Sequence, residues 1–129
     1  MKYYNSKTIN KSFEEAIQAV TEELKKEGFG IMTEIDVQET LKKKLDVDFM
    51  KYKILGACNP QFAYKVLQKE ENIGVMLPCN VVVYEKSNGT VQVSIINPMV
   101  AMQSVGNPNL KSTASAVSEK LVRILENLT

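Results

Sequence analysis

Asn80-Val81-Val82-Val83-Tyr84-Glu85-Lys86-Ser87-Asn88-Gly89-Thr90-Val91-Gln92-Val93-Ser94-Ile95-Ile96 is the stretch that decides the fold. Two apolar, β-branched runs flank Asn88-Gly89, the dipeptide that most readily takes the positive φ angles of a tight hairpin turn. The stretch predicts an antiparallel strand pair. Upstream, the apolar character continues back to Ile73, so the first strand is expected over Ile73 to Glu85. Pro78 interrupts it with a bulge, an edge or a break, because proline has no N–H to give to a ladder.

Working outward toward the N-terminus, Asn59-Pro60 supplies a helix cap and a first helical residue. Phe62, Ala63, Val66 and Leu67 then form the buried stripe of a helix over 60–70. Before it, Met50, Tyr52 and Ile54 alternate with Lys51 and Lys53 in a strand that runs into Gly56-Ala57-Cys58. This strand–helix–strand run leaves one parallel pair open. Phe29, Ile31, Thr33, Ile35 and Val37 alternate with Gly30, Met32, Glu34, Asp36 and Gln38, a strand period. Asp36 and Glu39 then cap a short helix over 37–44. Phe13, Ala16, Ile17, Val20 and Leu24 recur at helical spacing, and Ser12 with Glu15 is a capping-box pair, so a helix is expected over 12–27. Residues 3–9 form a short polar strand.

Toward the C-terminus, 97–107 has no clear period and reads as a loop. A long last helix opens near Asn107-Pro108, with Leu110, Ala114, Val117, Leu121, Ile124, Leu125 and Leu128 on one face. The fold class is therefore α+β: one domain over 1–129, with an antiparallel or mixed sheet and its helices packed on one side.

The 129 residues carry 16 basic and 15 acidic side chains, a net charge of +1. No basic footprint for phosphate backbones or an anionic membrane exists, so neither nucleic acid nor membrane is expected as a partner. Residues 1–7 lack an apolar core of signal length, and the cytoplasm is the expected location. The two cysteines then read as free thiols. Histidine is absent, which removes serine–histidine and cysteine–histidine catalysis and histidine zinc sites together.

Several separated words resemble one known family. They are Gly28-Phe29-Gly30, Thr33 to Val37, Leu41-Lys42, Lys44-Leu45, Tyr52, Ile54 to Pro60, Gly74 and Leu77 to Glu85. Together they are similar to the prokaryotic family named domain of unknown function 302, over about 1–128. The resemblance implies a TATA-binding-protein-like fold, a curved and mainly antiparallel sheet with helices on one face, and a homodimer. It implies no activity and no catalytic residue.

The candidate site is the pair of Cys-Asn words, Cys58-Asn59 and Cys79-Asn80, each at a strand end. Cys58 precedes a helix N-terminus, where N–H groups and the helix dipole favour a thiolate or an anion. The alternative is a small residue closing a turn, with Asn59 serving as a cap. Cys79 follows Pro78 in an apolar strand and reads as a small hydrophobe. Asn80, between apolar neighbours, needs a polar partner if it is buried. Six methionines without histidine also permit a soft metal, with Met76, Met99 and Met102 nearest, although the spacing is not a metal motif and no metal site is expected. Glu34 and Asp36 share a strand face, with Asp36 already used as a cap.

These residues favour a non-enzymatic domain that binds a small molecule or anion at Cys58, Asn59, Cys79 and Asn80. A thiol-dependent redox or sulfur-handling role for Cys58 and a purely structural homodimeric module remain alternatives. No cofactor is indicated.

Overall fold

The strands either side of Asn88-Gly89 pair as a hairpin, Cys79–Glu85 against Val91–Ile96, with Val83 opposite Val93. Gly89 takes a φ of 84°, which a side chain would strain. The structure, a computed structural model, describes residues 2–129. In chain order it contains β1 (Tyr4–Ile9), α1 (Phe13–Lys26), β2 (Gly30–Asp36), α2 (Val37–Leu45), β3 (Tyr52–Cys58) and α3 (Pro60–Lys69). A 3-10 helix (Glu71–Met76), β4 (Cys79–Glu85), β5 (Val91–Ile96), α4 (Pro98–Gln103), a 3-10 turn (Pro108–Leu110) and α5 (Lys111–Glu126) follow.

The five strands form a curved, open, wholly antiparallel sheet in the order β1-β5-β4-β3-β2. Strand alternation assigns its two faces. Leu55, Ala57, Val81, Val83, Val91, Val93 and Ile95 point to one face and are buried. There they meet Phe13, Ala16, Val20 and Leu24 of α1 and Val117, Leu121, Ile124 and Leu125 of α5. Fully burying each large apolar side chain contributes about 1.5–3 kcal/mol, so this layer dominates stability. The opposite face carries Tyr52, Ile54, Val82, Tyr84, Ser94 and Ile96.

Caps fix where the helices start. Ser12 and Glu15 form the expected reciprocal box, with Ser12 Oγ accepting from Glu15 N at 3.2 Å and Ser12 N donating to Glu15 Oε1 at 3.1 Å. Asp36 Oδ1 accepts from Glu39 N at 2.9 Å at the head of α2. Glu27, which ends α1, accepts from Arg123 Nη2 at 2.9 Å and Nε at 3.1 Å, tying α1 to α5. Hydrogen bonding to this guanidinium holds the Glu27 carboxyl below its ordinary range. Solvent reaches the Arg123 side of the contact and screens it, so it adds little to stability. It is present above the unfolded carboxylate's pKa and lost as pH falls through the lowered one.

Two expectations are corrected and one open alternative is resolved in favour of the antiparallel reading. The segment 97–107 is not a loop throughout: Asn97 caps α4, its Oδ1 accepting from Met99 N at 3.1 Å, with Pro98 as first helical residue. Residues 73–78 do not extend β4: Glu71–Met76 winds as a 3-10 helix, and β4 begins only at Cys79. The strand–helix–strand run 52–85 yields no parallel pair: Tyr52 lies opposite Tyr84 and Ala57 opposite Cys79. Segment 59–78 leaves the sheet and returns at the same end.

Candidate functional site

That return places chemistry at one end of the sheet. The end of β3, the start of β2 and the start of β4 meet there, with Gly30 opposite Cys58 and Ala57 opposite Cys79. A second, smaller apolar cluster of Val66, Ile73 and Leu110 lies beneath the segments that cross this end, with Met76, Leu77, Met102 and Val105 packed against it. The main core and this cluster do not fuse completely.

A cavity of about 50 Å³ lies at their seam. Phe29, Ala57, Cys79 and Val117 wall it from the side of the main core, and Val66, Leu77 and Met102 from the side of the smaller one. Cys58, Asn59, Phe62, Ala63, Pro78, Pro98, Thr113 and Ala114 complete it. No charged residue is on the wall, and its lining is almost wholly apolar. The space admits more than one water-sized group, but offers such a molecule few polar partners.

Asn59 is fully engaged. Its Oδ1 accepts from Phe62 N at 3.4 Å, and its Nδ2 donates to Glu27 O at 3.3 Å. Gly28, with a φ of 86°, allows this approach: a Cβ there would lie 3.0 Å from Asn59 Nδ2. Asn59 thus locks the end of α1 to the head of α3. Pro60 has no N–H, and Asn59 occupies that of Phe62, so the first turn of α3 retains few donors for an anion or a thiolate.

Both cysteines are free and partly buried. Burial, followed by the neighbouring Cys58, pushes the Cys79 thiol up to about 11. It is protonated at neutral pH and is not a nucleophile there.

The family described as Domain of unknown function DUF302 matches the chain over residues 5–128. The chain belongs to this family. It is also similar to the uncharacterized conserved protein DUF302 from Bacillus stearothermophilus, whose crystal structure matches at a TM-score of 0.93 and 32% identity over 100% of both chains. None of the curated proteins matches it.

In this DUF302 protein the four candidate residues are not all together. Cys58, Asn59 and Cys79 line the cavity. Asn80, opposite Gly56, is exposed on the other face of the sheet, where it borders a shallow concavity with Tyr3, Tyr4, Met50, Tyr52, Val82 and Tyr84. Tyr52 and Tyr84 stack there with ring centroids 5.3 Å apart. Of the three methionines, Met102 reaches the cavity, Met76 packs in the smaller cluster and Met99 lines surface grooves. Among the described residues no group of three or more Cys, Asp or Glu side chains is placed to hold a metal ion. Glu34 is paired with Lys53 at 2.6 Å, and Asp36 caps α2. Among the described residues no helix is long and apolar enough to cross a membrane.

The sequence reading missed Phe29, Phe62, Leu77 and Val117 as site residues, whereas Met102 was among the methionines it placed near the cysteines. The four missed residues carry no chemical signature of their own, and only the crossing of segments 59–78 and 98–110 brings them to one place.

Proposed function

We propose that this DUF302 protein is a non-enzymatic, small-ligand-binding domain whose cavity at Cys58, Asn59 and Cys79 takes an uncharged apolar group. The observation that carries this reading is the cavity between two incompletely merged apolar clusters, walled by Phe29, Phe62, Leu77 and Val117 and bearing no charge. Among the described residues no buried side-chain nitrogen or oxygen lacks a hydrogen-bond partner. The walls therefore have little unmet polar demand, and ligand affinity comes from apolar burial. A redox role for Cys58 is less favoured, because Pro60 lacks an N–H and Asn59 Oδ1 already accepts from Phe62 N, which leaves the head of α3 few donors to stabilise a thiolate. A cytoplasmic location, where both thiols stay reduced, belongs to the same proposal.

The uncovered sheet face favours a homodimer as a further part of this reading. Met50, Phe49 and Ile35 are respectively 41%, 39% and 48% exposed beside the Tyr52–Tyr84 stack, an apolar surface in a chain of near-zero net charge.

The test of ligand binding is a thermal-shift titration with 1-hexanol on the wild type and on Ala63→Leu, which fills the cavity from partly exposed α3. The wild type is expected to melt higher as hexanol rises through its Kd, and Ala63→Leu to show no such rise. Equal behaviour of the two proteins contradicts the assignment of the site.

A further inference from the structure

The cavity adjoins a second space. Met102 and Ala114 form walls of both, and beyond them a groove of about 340 Å³ opens at the surface along Gln103, Asn107 and Lys111. The two differ in charge: the first has no charged side chain on its wall, and the second, also mainly apolar, carries a cation at its rim. Lys111 is exposed, and among the described residues no carboxylate lies within ion-pair distance of it. Glu70 reaches Asn107 Nδ2 at 3.1 Å and is the carboxylate of this corner. Lys69 stands on the same side, its Nζ donating to Asn109 O at 3.2 Å. A flexible thioether at Met102 is the main side chain between the two spaces, and methionine changes rotamer at low cost.

Resting on the ligand-binding reading above, we infer that the ligand is amphipathic, a short aliphatic monocarboxylate with the end of its chain in the cavity of about 50 Å³, the rest passing Met102 and Ala114, and its carboxylate in the groove at Lys111. The chain end gains by leaving water, and the head stays hydrated beside a cation that has no competing anion. An ammonium head would meet Lys111 as a like charge. A ligand charged at both ends has no place here, because the end entering the uncharged cavity would bury a charge without a partner.

The experiment is calorimetric titration of the full chain at neutral pH and low salt with 1-hexanol, hexanoate and hexylamine, repeated on Lys111→Met, together with butanoate and octanoate on the wild type. Hexanoate is expected to bind about two- to fivefold more tightly than hexanol, the size of an exposed ion pair. That preference is expected to shrink in high salt. Hexylamine is expected to bind weakest. Lys111→Met is expected to erase the preference for hexanoate. Affinity is expected to rise up to about fourfold per methylene only over the few carbons that a cavity of about 50 Å³ can hold, so octanoate is expected to bind no more tightly than hexanoate. If hexanol binds but hexanoate binds no more tightly, or if Lys111→Met keeps the preference, the carboxylate assignment is overturned while the cavity reading stands. If none of the three six-carbon compounds binds, both fall.

Discussion

Gly56→Val is expected to lower the stability of this protein by about 3 kcal/mol, read as a shift in the midpoint of urea unfolding. A Cβ at Gly56 would lie 2.1 Å from Thr33 Oγ1 and 2.7 Å from Pro78 Cγ. The threonine side chain can rotate, but the proline ring is held by its own backbone and cannot withdraw without moving the 77–78 corner of the cavity wall. Gly56→Ala is expected to show the same effect at smaller size. Gly30, in the neighbouring strand, provides the contrast. Nothing lies within 4 Å of a Cβ built there, so Gly30→Ala is expected to be neutral or slightly stabilising by restricting the unfolded chain. Equal tolerance at both glycines would contradict the packing of Pro78 over β3.

The second large effect depends on pH. The Cys79 thiol rises from an ordinary 9.0 to about 11, with burial as the first cause and Cys58 as the second. The folded protein then holds a proton that the unfolded chain releases between these two values, so stability falls as pH climbs through that window. Below pH 9 the contribution is fully present; above about 11 it is gone. The shift of two units corresponds to about 2–3 kcal/mol. Lysines and tyrosines titrate in the same range, so the measurement is the difference between wild type and Cys79→Ala. The wild type is expected to lose about that much more stability from pH 9 to 11. Parallel curves would mean that the thiol is not desolvated. At neutral pH, alkylation of Cys79 in the folded protein is expected to be slow for the same reason.

The hairpin and the helix caps were legible in the sequence because their signals are local. Asn88-Gly89, Ser12 with Glu15, Asp36 with Glu39 and Asn59-Pro60 each act within four residues, and each lies at the turn or cap it marks, although in the hairpin only Gly89 takes a positive φ. The same logic would have found α4. Asn97-Pro98 repeats the Asn-Pro word that opens α3 and the 3-10 turn at Asn107-Pro108, but a six-residue helix is too short to show a period. Residues 73–76 misled because a short apolar run fits a buried strand or a helix equally well. In the structure Ile73 is buried while Val75 is 86% exposed, the mark of a turn that buries one side.

The candidate site was legible in part. Cys58 and Cys79 end strands that pair, and this brought both words to one end of the sheet. Cys79 and Asn80 are adjacent in β4 and face opposite ways, so Cys79 lines the cavity while Asn80 is exposed on the other face. That rule was available from the sequence and separates the two. The apolar walls were not legible. Phe62, Leu77 and Met102 belong to three segments whose meeting depends on the antiparallel return of 59–78. A strand–helix–strand run more often predicts a parallel crossover.

The account rests on the cavity as the place where an apolar group binds. A crystal of the wild-type protein under xenon pressure tests this most directly, because xenon reports apolar voids without needing polar partners. The expected result is a xenon site between Phe29, Phe62, Leu77 and Val117, lost in Ala63→Leu. Xenon confined to the open tyrosine face, with none at the seam of the two clusters, would contradict it.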